Sequence, residues 1–517
     1  MTSPNLALSF YQVVEQWGNE ICLFFRESEQ YSFVQINEFS NKLARHFLKF
    51  GIKPQEVICI AGEKCLYSYS AILACLKLGV IYSIFDPDSP AKRLKKIFTT
   101  CTPKIIFHPK EFHLEEMLDS SFCTPICWDE SLNATIQNLS STNLDESTEI
   151  TGDYAAYIMF TSGSTGFPKG AVMTHSNVLS LIAWSINAYG FRPGEILTNL
   201  NPLFFDNAVF DIYSSFFSGA TLVPFSKQEV TDPKRLVEKI AECRCTSWFS
   251  VPSLLMFLQT MKAFKVSNMT CMRRIIFGGE GYPKVKLKAL FDLYNNRIEF
   301  HNVYGPTECT CICSTYPVSH DDFSEMSGFL PLGNLIENFN YLILDDEGKS
   351  VAPDTIGELC LMGPGVGKGY YNNPERTRLS FVQNPQNNST TEVMYMTGDL
   401  VMLNPVDNKI YISGRKDNQI KHMGYRIELE EIENAICCLN DIQQVAVVHT
   451  LINGISQLIA FISSTVNLEE SCIQKQLQEI IPSYMIPTRY HFLDNLPKNA
   501  NGKVDRKRIK EVLCNTI

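Results

Sequence analysis

The alternation of short apolar runs with helical segments constrains the fold of this chain most strongly. "EVICIAG" (56–62), "PKIIFH" (103–108) and "RRIIFGG" (273–279) have the length and composition of fully buried strands. Helical patterns such as "YSAILACLKLG" (69–79) lie between runs of this kind. Because buried strands joined by helices are typical of largely parallel sheets, the pattern predicts an α/β protein. A length of 517 residues predicts more than one domain.

Composition excludes several classes of protein. A net charge of -10, without a clustered basic face, argues against binding to nucleic acid. No apolar run reaches membrane-spanning length, and no Lys or Arg precedes Arg26 as it would in a signal peptide. We therefore expect a cytoplasmic protein with reduced cysteines. The cluster "CTCIC" (309–313) has the wrong spacing for zinc, and we expect its thiols to be structural or to line a pocket.

The character of the chain changes near Asp417. Residues 359–411 are rich in Gly, Pro and Asn, which predicts loops and antiparallel strands. Beyond "GRKD", "RIELEEIENAICCL" (426–439) and "LEESCIQKQLQEII" (468–481) predict helices, and "DIQQVAVVHT" (441–450) and "QLIAFISS" (457–464) predict strands. The sequence thus predicts an α/β domain at 1–416 and a small α+β domain at 417–517.

A polar loop follows the apolar strand pattern "YAAYIM". In "FTSGSTGFPKG" (160–170), Gly163 and Gly166 let the backbone approach an anion, the neighbouring hydroxyls offer donors, and Lys169 adds charge. The loop is not a P-loop, because no Gly-Lys-Ser/Thr opens the next helix. Taken alone, such a stretch is also compatible with a flexible loop.

Further motifs follow in a fixed order. They are "NVYGPTE" (302–308), "GELCLMGPGVGKGYYNNPERT" (357–377), "YMTGDL" (395–400), "GRKDNQIKHMGYRIELEEIE" (414–433), "IPSYMIP" (481–487) and "NGKVDRKRI" (501–509). Together with the loop, they resemble the adenylate-forming superfamily, which includes amino-acid adenylation domains of peptide synthetases, D-alanine–carrier protein ligases, acyl-CoA synthetases and luciferases. The resemblance implies a large N-terminal domain of mostly parallel sheets with a small β-barrel-like subdomain, a mobile C-terminal domain, and an active site between them.

The resemblance also implies a reaction in two halves. A carboxylate attacks the α-phosphorus of ATP, pyrophosphate leaves, and a thiol then displaces AMP from the acyl-adenylate. Bringing two anions together requires positive charge and fixed donors where negative charge develops. Lys503 resembles the lysine that reaches the carboxylate and the α-phosphate, although a basic tail is its ordinary alternative. Glu308 resembles a Mg²⁺ ligand, and Thr307 a phosphate contact.

The remaining nucleotide contacts follow from the same resemblance. Tyr304 would stack on adenine, and Asn302 would read its edge. Asp399 would bind the ribose hydroxyls, with Arg415 close by. Asp417 would be the hinge between the domains, and Gly424 would face the pantetheine thiol. The full implied nucleotide set is Thr161, Ser162, Gly163, Ser164, Thr165, Gly166, Lys169, Gly278, Gly279, Glu280, Asn302, Tyr304, Asp399 and Arg415.

Asp206, in "NPLFFDNAVFDIYSSFF" (201–217), occupies the place of an aspartate that binds the substrate ammonium in amino-acid-activating members. A buried carboxylate requires such a cation. Asp206 also precedes a helical pattern, so the competing interpretation is that it is the N-cap of that helix. The implied pocket comprises Asp206, Asn207, Phe210, Ser250, Ile276, Gly278, Val303, Cys311 and Ile312. No other member is charged, which predicts a neutral amino acid. We expect Gly278 to leave room for a side chain.

The predicted partners are an amino acid and a separate carrier protein whose phosphopantetheine accepts the aminoacyl group. The resemblance implies ATP and Mg²⁺ as cofactors. The chain ends soon after the lysine motif, so we expect a free-standing ligase. Carrier proteins of this type are typically acidic, and "KVDRKRIK" (503–510) is a candidate docking segment. The alternatives are a coenzyme A ligase for a carboxylate without an amino group, and an inactive member of the fold.

Overall fold

A computed structural model describes residues 5–114, 123–163, 166–337, 339–387, 389–452, 455–464, 466, 468–498 and 504–513. Ser164, Thr165 and Lys503, to which the sequence assigns roles, lie outside these ranges. The α-helices of the described chain are α1 Leu6–Trp17, α2 Phe33–Leu48, α3 Leu66–Leu78, α4 Ala91–Cys101, α5 Glu130–Ile136, α6 His175–Tyr189, α7 Asn207–Phe216, α8 Lys227–Thr231, α9 Pro233–Glu242, α10 Pro252–Thr260, α11 Lys284–Tyr294, α12 Pro374–Ser380, α13 Leu429–Cys437, α14 Glu470–Leu477 and α15 Arg506–Leu513.

Two large sheets form the first part of the chain. One has the order β6 (Thr124–Trp128), β5 (Ile105–Pro109), β3 (Val57–Ala61), β4 (Ile81–Phe85), β7 (Ala155–Thr161), β8 (Lys169–Thr174). The other has the order β15 (Asn334–Leu335), β14 (Ser314–Pro317), β13 (Glu299–Tyr304), β12 (Arg274–Gly278), β11 (Ser247–Ser250), β9 (Ile196–Asn199), β10 (Thr221–Pro224), β1 (Ile21–Arg26), β2 (Glu29–Ser32). Their central strands pair in parallel, and antiparallel strands lie at the edges.

Smaller antiparallel units follow. A five-stranded sheet, the small β subdomain, contains β16 (Asn340–Leu344), β17 (Ile356–Met362), β18 (Phe381–Gln383), β19 (Val393–Asn404) and β20 (Lys409–Arg415). Next come the hairpin of β21 (Gln419–His422) and β22 (Tyr425–Glu428), and a three-stranded sheet of β23 (Ile442–Ile452), β24 (Ile455–Ser464) and β25 (Arg489–Phe492). The predicted fold class, α/β with a smaller C-terminal α+β domain, is confirmed.

The buried apolar residues divide where the sequence changes character. Those up to Ile410 and those from Ile427 onward fall into separate clusters. The predicted helix "RIELEEIENAICCL" is wrong at its beginning, because residues 426–428 belong to β22 and the helix begins at Leu429. The alternation of Arg426, Ile427 and Glu428 suits a strand once Gly424 has turned the chain.

Two properties of the described residues complete the fold. The cysteines of this part of the chain are free, and within the "CTCIC" cluster Cys309, Cys311 and Cys313 are buried. Among the helices that the structure describes, none combines the length and apolarity needed to cross a membrane.

Candidate active site

The β21–β22 hairpin carries two cations from the C-terminal part of the chain into a pocket on the first part. Its turn residues, Met423 and Gly424, have φ angles of 52° and 82°. Two consecutive positive φ values define a type I′ turn, which matches the twist of a two-residue hairpin. Lys421 and Arg426 are cross-strand partners. Directly opposed residues share a face, so both side chains enter the pocket together.

The pocket collects part of the predicted substrate set. Asp206, Asn207, Val303, Cys311 and Ile312 line it. Further lining residues come from the strand before the polar loop, from the second sheet and from the hairpin: Met159, Phe160, Thr161, Ser162, Phe249, Gly279, Gly305, Thr307, Lys421, Gly424 and Arg426. The site therefore lies between the two parts of the chain.

Other members of the predicted set lie behind the pocket wall. Phe210, Ser250, Ile276 and Gly278 are buried, and they are not among the lining residues. The expectation that Gly278 leaves room for a substrate is wrong. A Cβ at this position would lie 2.3 Å from the carbonyl oxygen of Val303, so glycine allows β12 and β13 to approach.

Asp206 accepts a hydrogen bond from the Thr307 hydroxyl at 2.6 Å. It occupies the N-cap position of α7, but its side chain makes no capping hydrogen bond, so capping does not account for the carboxylate. Burial raises the pKa of Asp206, and the Lys421 ammonium and the Thr307 hydrogen bond oppose this rise. Thr307, predicted to contact phosphate, is directed at this carboxylate instead.

Glu308 lies at the centre of a buried charged cluster and is fully buried. Its Oε1 accepts from the Tyr370 hydroxyl at 2.7 Å, and its Oε2 from Arg426 Nη1 at 2.6 Å. Lys169 Nζ lies 3.9 Å from the same carboxylate and 3.6 Å from Glu428. Burial alone would raise the pKa of Glu308, but Arg426 and Lys169 hold it well below its usual range. The carboxylate is therefore ionised and engaged at both oxygens.

This arrangement tests the implied Mg²⁺ site. Glu308 does not fit a metal ligand while Arg426 and Tyr370 hold its two oxygens. Within the described ranges, no group of three or more His, Cys, Asp or Glu residues is placed to bind a metal ion. A cation at Glu308 would require Arg426 to leave.

Lys169 is the first residue of β8 and is buried, although the sequence places it in an anion-binding loop. Burial lowers its pKa to about 8, and the neighbouring Arg426 acts in the same direction. Its ammonium lies 5.5 Å from the centre of the Tyr370 ring. In this arrangement Lys169 supports the Glu308 cluster.

The polar loop contacts the hairpin and α13. The Ser162 hydroxyl donates to the Arg426 carbonyl at 2.8 Å, and the Glu428 N–H donates to that hydroxyl at 3.1 Å. The Gly163 N–H donates to Glu431, whose carboxylate also pairs with Arg93. Thr161 differs, because its Oγ1 is buried, lines the pocket and has no hydrogen-bond partner within the described structure. A buried hydroxyl without a partner suits a bound polar ligand.

A second polar group lies at the end of β20 and on the neighbouring strand β19. The Tyr304 hydroxyl donates to Asp399 Oδ2 at 2.6 Å, and Arg415 Nη1 donates to Asp399 Oδ1 at 2.5 Å. Asp399 and Arg415 are register partners, and Arg415 also holds Asp417 through two hydrogen bonds of 2.6 and 2.8 Å. The structure thus brings together the residues expected at the ribose. Asn302 donates to the Pro331 carbonyl at 2.9 Å.

Glu280, from the same implied nucleotide set, joins the pocket wall to the hairpin. Its carboxylate accepts from the Ser253 N–H at 2.6 Å and from the Gly424 N–H at 3.2 Å. Gly279, with a φ of 90°, lies beside Val251 and Asn207. These contacts fix the hairpin turn against the N-terminus of α10.

Sequence reasoning missed several residues of the site: Lys421, Arg426, Tyr370, Glu428, Glu431 and Arg93. For the two hairpin cations, Lys421 and Arg426, the sequence did contain a signal that could have identified them. Two-residue alternation on either side of Gly424 places Lys421 and Arg426 on one face. The partners of Tyr370 and Arg93 are separated from them by 62 and 338 residues, and no local pattern identifies such contacts.

Comparisons with known proteins identify the family of this chain. Residues 10–371 match the family model of the AMP-binding enzyme, and residues 431–503 match the AMP-binding enzyme C-terminal domain. D-alanine–D-alanyl carrier protein ligase of Lacticaseibacillus rhamnosus is 30% identical over 492 residues, covering 93% of this chain and 94% of that protein. Tyrocidine synthase 3 of Brevibacillus parabrevis is 32% identical over 504 residues, covering 97% of this chain but 8% of that protein.

Solved structures show the same fold. Holo-PA1221, an NRPS protein containing adenylation and PCP domains, superposes with a TM-score of 0.84 at 24% identity, covering 98% of this chain and 84% of that one. An o-succinylbenzoate CoA synthetase from Bacillus subtilis gives a TM-score of 0.84 at 20% identity, covering 98% of both chains. The fold and the pocket between its two parts define the adenylate-forming class. This chain belongs to the AMP-binding enzyme family.

Proposed function

We propose that the protein activates a neutral amino acid with ATP, releases pyrophosphate, and transfers the aminoacyl group to the phosphopantetheine thiol of a carrier protein. One observation carries this proposal. Asp206 supplies a buried carboxylate to the pocket; burial raises its pKa, and Lys421 on the facing hairpin opposes that rise. Withdrawal of the hairpin would leave this carboxylate to a substrate ammonium, while Lys421 and Arg426 are the cations that the hairpin brings to the pocket. The pocket thus has one place for an ammonium and another for anionic groups.

Different residues of the pocket recognise the α-ammonium and the side chain of an amino acid. Asp206 pairs with the α-ammonium, and the hydroxyl of Thr307 orients its carboxylate. Val303, Cys311 and Ile312 surround the side chain with apolar surface, which favours a neutral substrate. The relatives that are D-alanine–D-alanyl carrier protein ligases make D-alanine one substrate to test.

The nucleotide is placed beside the amino acid. Asp399, held by Arg415, receives the ribose hydroxyls, and the Tyr304 ring supports adenine. The free hydroxyl of Thr161 faces the phosphates. In the adenylation step, the substrate carboxylate forms a bond to the α-phosphorus and the bond to pyrophosphate breaks. Lys503, assigned from its motif, balances the charge of the two anions.

Transfer requires an arrangement of the C-terminal domain that differs from the one used in the adenylation step. With the hairpin in the pocket, Lys421 and Gly424 lie at the amino-acid site. In this step a thiolate sulfur forms a bond to the carbonyl carbon, AMP leaves with the electron pair, and Lys421 stabilises the departing charge. We assign the described arrangement to transfer, and rotation about Asp417 would exchange the hairpin for Lys503.

The test is exchange of labelled pyrophosphate into ATP with each neutral L-amino acid, with glycine and with D-alanine. Asp206→Asn keeps the shape of the side chain and removes its charge, and Lys503→Ala removes the assigned lysine. We expect one amino acid to support exchange and both variants to lose it. Exchange supported by carboxylates without an amino group would replace the proposal with a coenzyme A ligase. Absence of exchange with every acid would contradict both.

A further inference from the structure

We propose that the exposed face of α10 and the start of α11 docks the acidic carrier protein that supplies the thiol. This α10–α11 face comprises Phe257, Met261, Lys262, Val285 and Lys286. The inference rests on the proposed function, because it names where the acceptor of the transfer step binds. It combines three features of the described residues: apolar exposure, basic charge and a position beside the pocket.

Apolar side chains concentrate on this face. Phe257, Met261 and Val285 are 39%, 56% and 61% exposed. Phe257 and Met261 are four residues apart at the end of α10, which places them on one side of the helix. The Gln259 side chain donates to the Lys286 carbonyl at 3.0 Å and joins α10 to the first turn of α11. Single exposed apolar residues are ordinary, but neighbouring ones indicate an interaction site.

The charge of this segment is opposite to that of the whole chain. Between residues 251 and 292, seven Lys and Arg residues accompany Glu280 and Asp292, whereas the chain carries a net charge of -10. Three of the seven, Arg273, Arg274 and Lys288, form ion pairs, and the four lysines Lys262, Lys265, Lys284 and Lys286 form none among the described residues. Lys262 and Lys286 are exposed beside the apolar side chains. An apolar centre with a basic rim complements an acidic partner with an apolar patch, and such complementarity accelerates association.

The α10–α11 face adjoins the entrance of the pocket. A Cβ at Gly424 would lie 2.6 Å from Val251, the residue immediately before α10, and Gly424 also lines the pocket. Phe257 lies about 9 Å further along the helix, at 1.5 Å per residue. Met423, at the tip of the hairpin, is 56% exposed beside this entrance. A carrier bound here would present its flexible arm at the hairpin turn.

The C-terminal basic segment suits the carrier less well. Arg506 is engaged by Glu433 and lies 3.5 Å from Glu430. Its charge is therefore neutralised within the C-terminal domain. In contrast, Lys262 and Lys286 of the α10–α11 face are exposed and form no ion pair among the described residues.

The experiment compares a triple variant, Phe257→Ser/Lys262→Glu/Lys286→Glu, with the wild type. Three activities are measured: pyrophosphate exchange, transfer to free pantetheine, and loading of a phosphopantetheinylated carrier. The carriers are the D-alanyl carrier protein of Lacticaseibacillus rhamnosus and the PCP domain of PA1221, whichever the wild type loads. We expect exchange and transfer to pantetheine to stay within twofold, and KM for the carrier to rise at least tenfold. Added salt should raise KM in the wild type and affect the variant less.

Phe50→Ser/Lys49→Glu/Lys53→Glu is the matched control, with the same charge change at exposed residues after α2. It should leave KM for the carrier unchanged. Equal KM values for the triple variant and the wild type would overturn the docking proposal while leaving the proposed function intact. A wild type that loads pantetheine but neither carrier would also overturn it. Loss of self-association in the triple variant, measured by sedimentation, would instead identify an interface between two copies of this chain.

Discussion

Replacing Arg426 should separate the two halves of the proposed reaction. Arg426 is the C-terminal partner of Glu308; the Glu308 side chain is fully buried and that of Arg426 is 10% exposed. Arg426→Ala leaves that carboxylate with the Tyr370 hydroxyl and with Lys169 at 3.9 Å. In the arrangement that we propose for adenylation the hairpin is withdrawn, so the pair would contribute nothing there. The substitution therefore destabilises only the described arrangement.

The expected magnitude follows from the burial of the pair. Removing one partner of a buried ion pair costs about 3–5 kcal/mol. Lys169 retains part of the attraction, so we use the lower limit of about 3 kcal/mol. Because about 1.4 kcal/mol corresponds to a factor of ten, transfer should slow by roughly 150-fold. Pyrophosphate exchange should change by less than about threefold, since it does not require the pair.

The assay uses single-turnover loading of the carrier alongside steady-state pyrophosphate exchange. Arg274→Ala is the matched control, because Arg274 forms a buried pair with Glu195 within the first part of the chain, at 3.1 Å. It should lower thermal stability without separating the two activities. Arg426→Lys should restore part of the transfer rate, because it returns the charge but not the guanidinium geometry. Parallel losses of exchange and transfer in Arg426→Ala would refute the reasoning.

Three further predictions concern single side chains. Burial raises the pKa of Asp211 to about 8, so between about pH 4 and 8 the folded state keeps a proton that the unfolded state loses, and the stability of the wild type falls as pH rises. The melting temperature of Asp211→Asn should therefore rise relative to that of the wild type between pH 5.5 and 8. A difference in melting temperature that does not depend on pH would contradict this. Gly278→Ala should lower stability by about 1–3 kcal/mol in thermal unfolding because of the contact with Val303, and a change in substrate size preference at unchanged stability would argue against it. Thr307→Val should raise KM for the amino acid by about tenfold through the loss of one hydrogen bond to Asp206, whereas a rise in KM for ATP alone would return Thr307 to a phosphate role.

Local patterns were sufficient for most of the fold. The buried strands β3 and β12 lie within the predicted runs, and β5 extends one residue beyond its run, because short apolar segments between helices have few other arrangements. The β21–β22 hairpin was harder, since "RIELEE" has the composition of a helix. Its strand conformation depends on the turn at Gly424 and on two hydrogen bonds with the Ser162 hydroxyl, one donated and one accepted, from more than 260 residues earlier in the chain.

The candidate site shows the same limit. The pairing of Asp399 with Arg415 agrees with expectation because the two residues lie on neighbouring strands 16 residues apart. The contact of Thr307 with Asp206 spans 101 residues and was not expected. Motif resemblance identified most of the participants, but it did not show that Glu308 is bound by an arginine from the other domain. Such a partner depends on how the two domains are oriented.

The two-residue turn of the β21–β22 hairpin limits how this sequence can diverge. Lys421 and Arg426 share a face only because two residues separate the strands. One inserted or deleted residue would therefore turn the side chains of one strand to the opposite face of the hairpin. An apolar neighbour such as Ile427 would then enter the pocket in place of the guanidinium. Substitutions that preserve spacing can be tested one at a time, whereas a change of length would replace the whole cationic face. Loop grafting at this position should therefore conserve length before it conserves sequence.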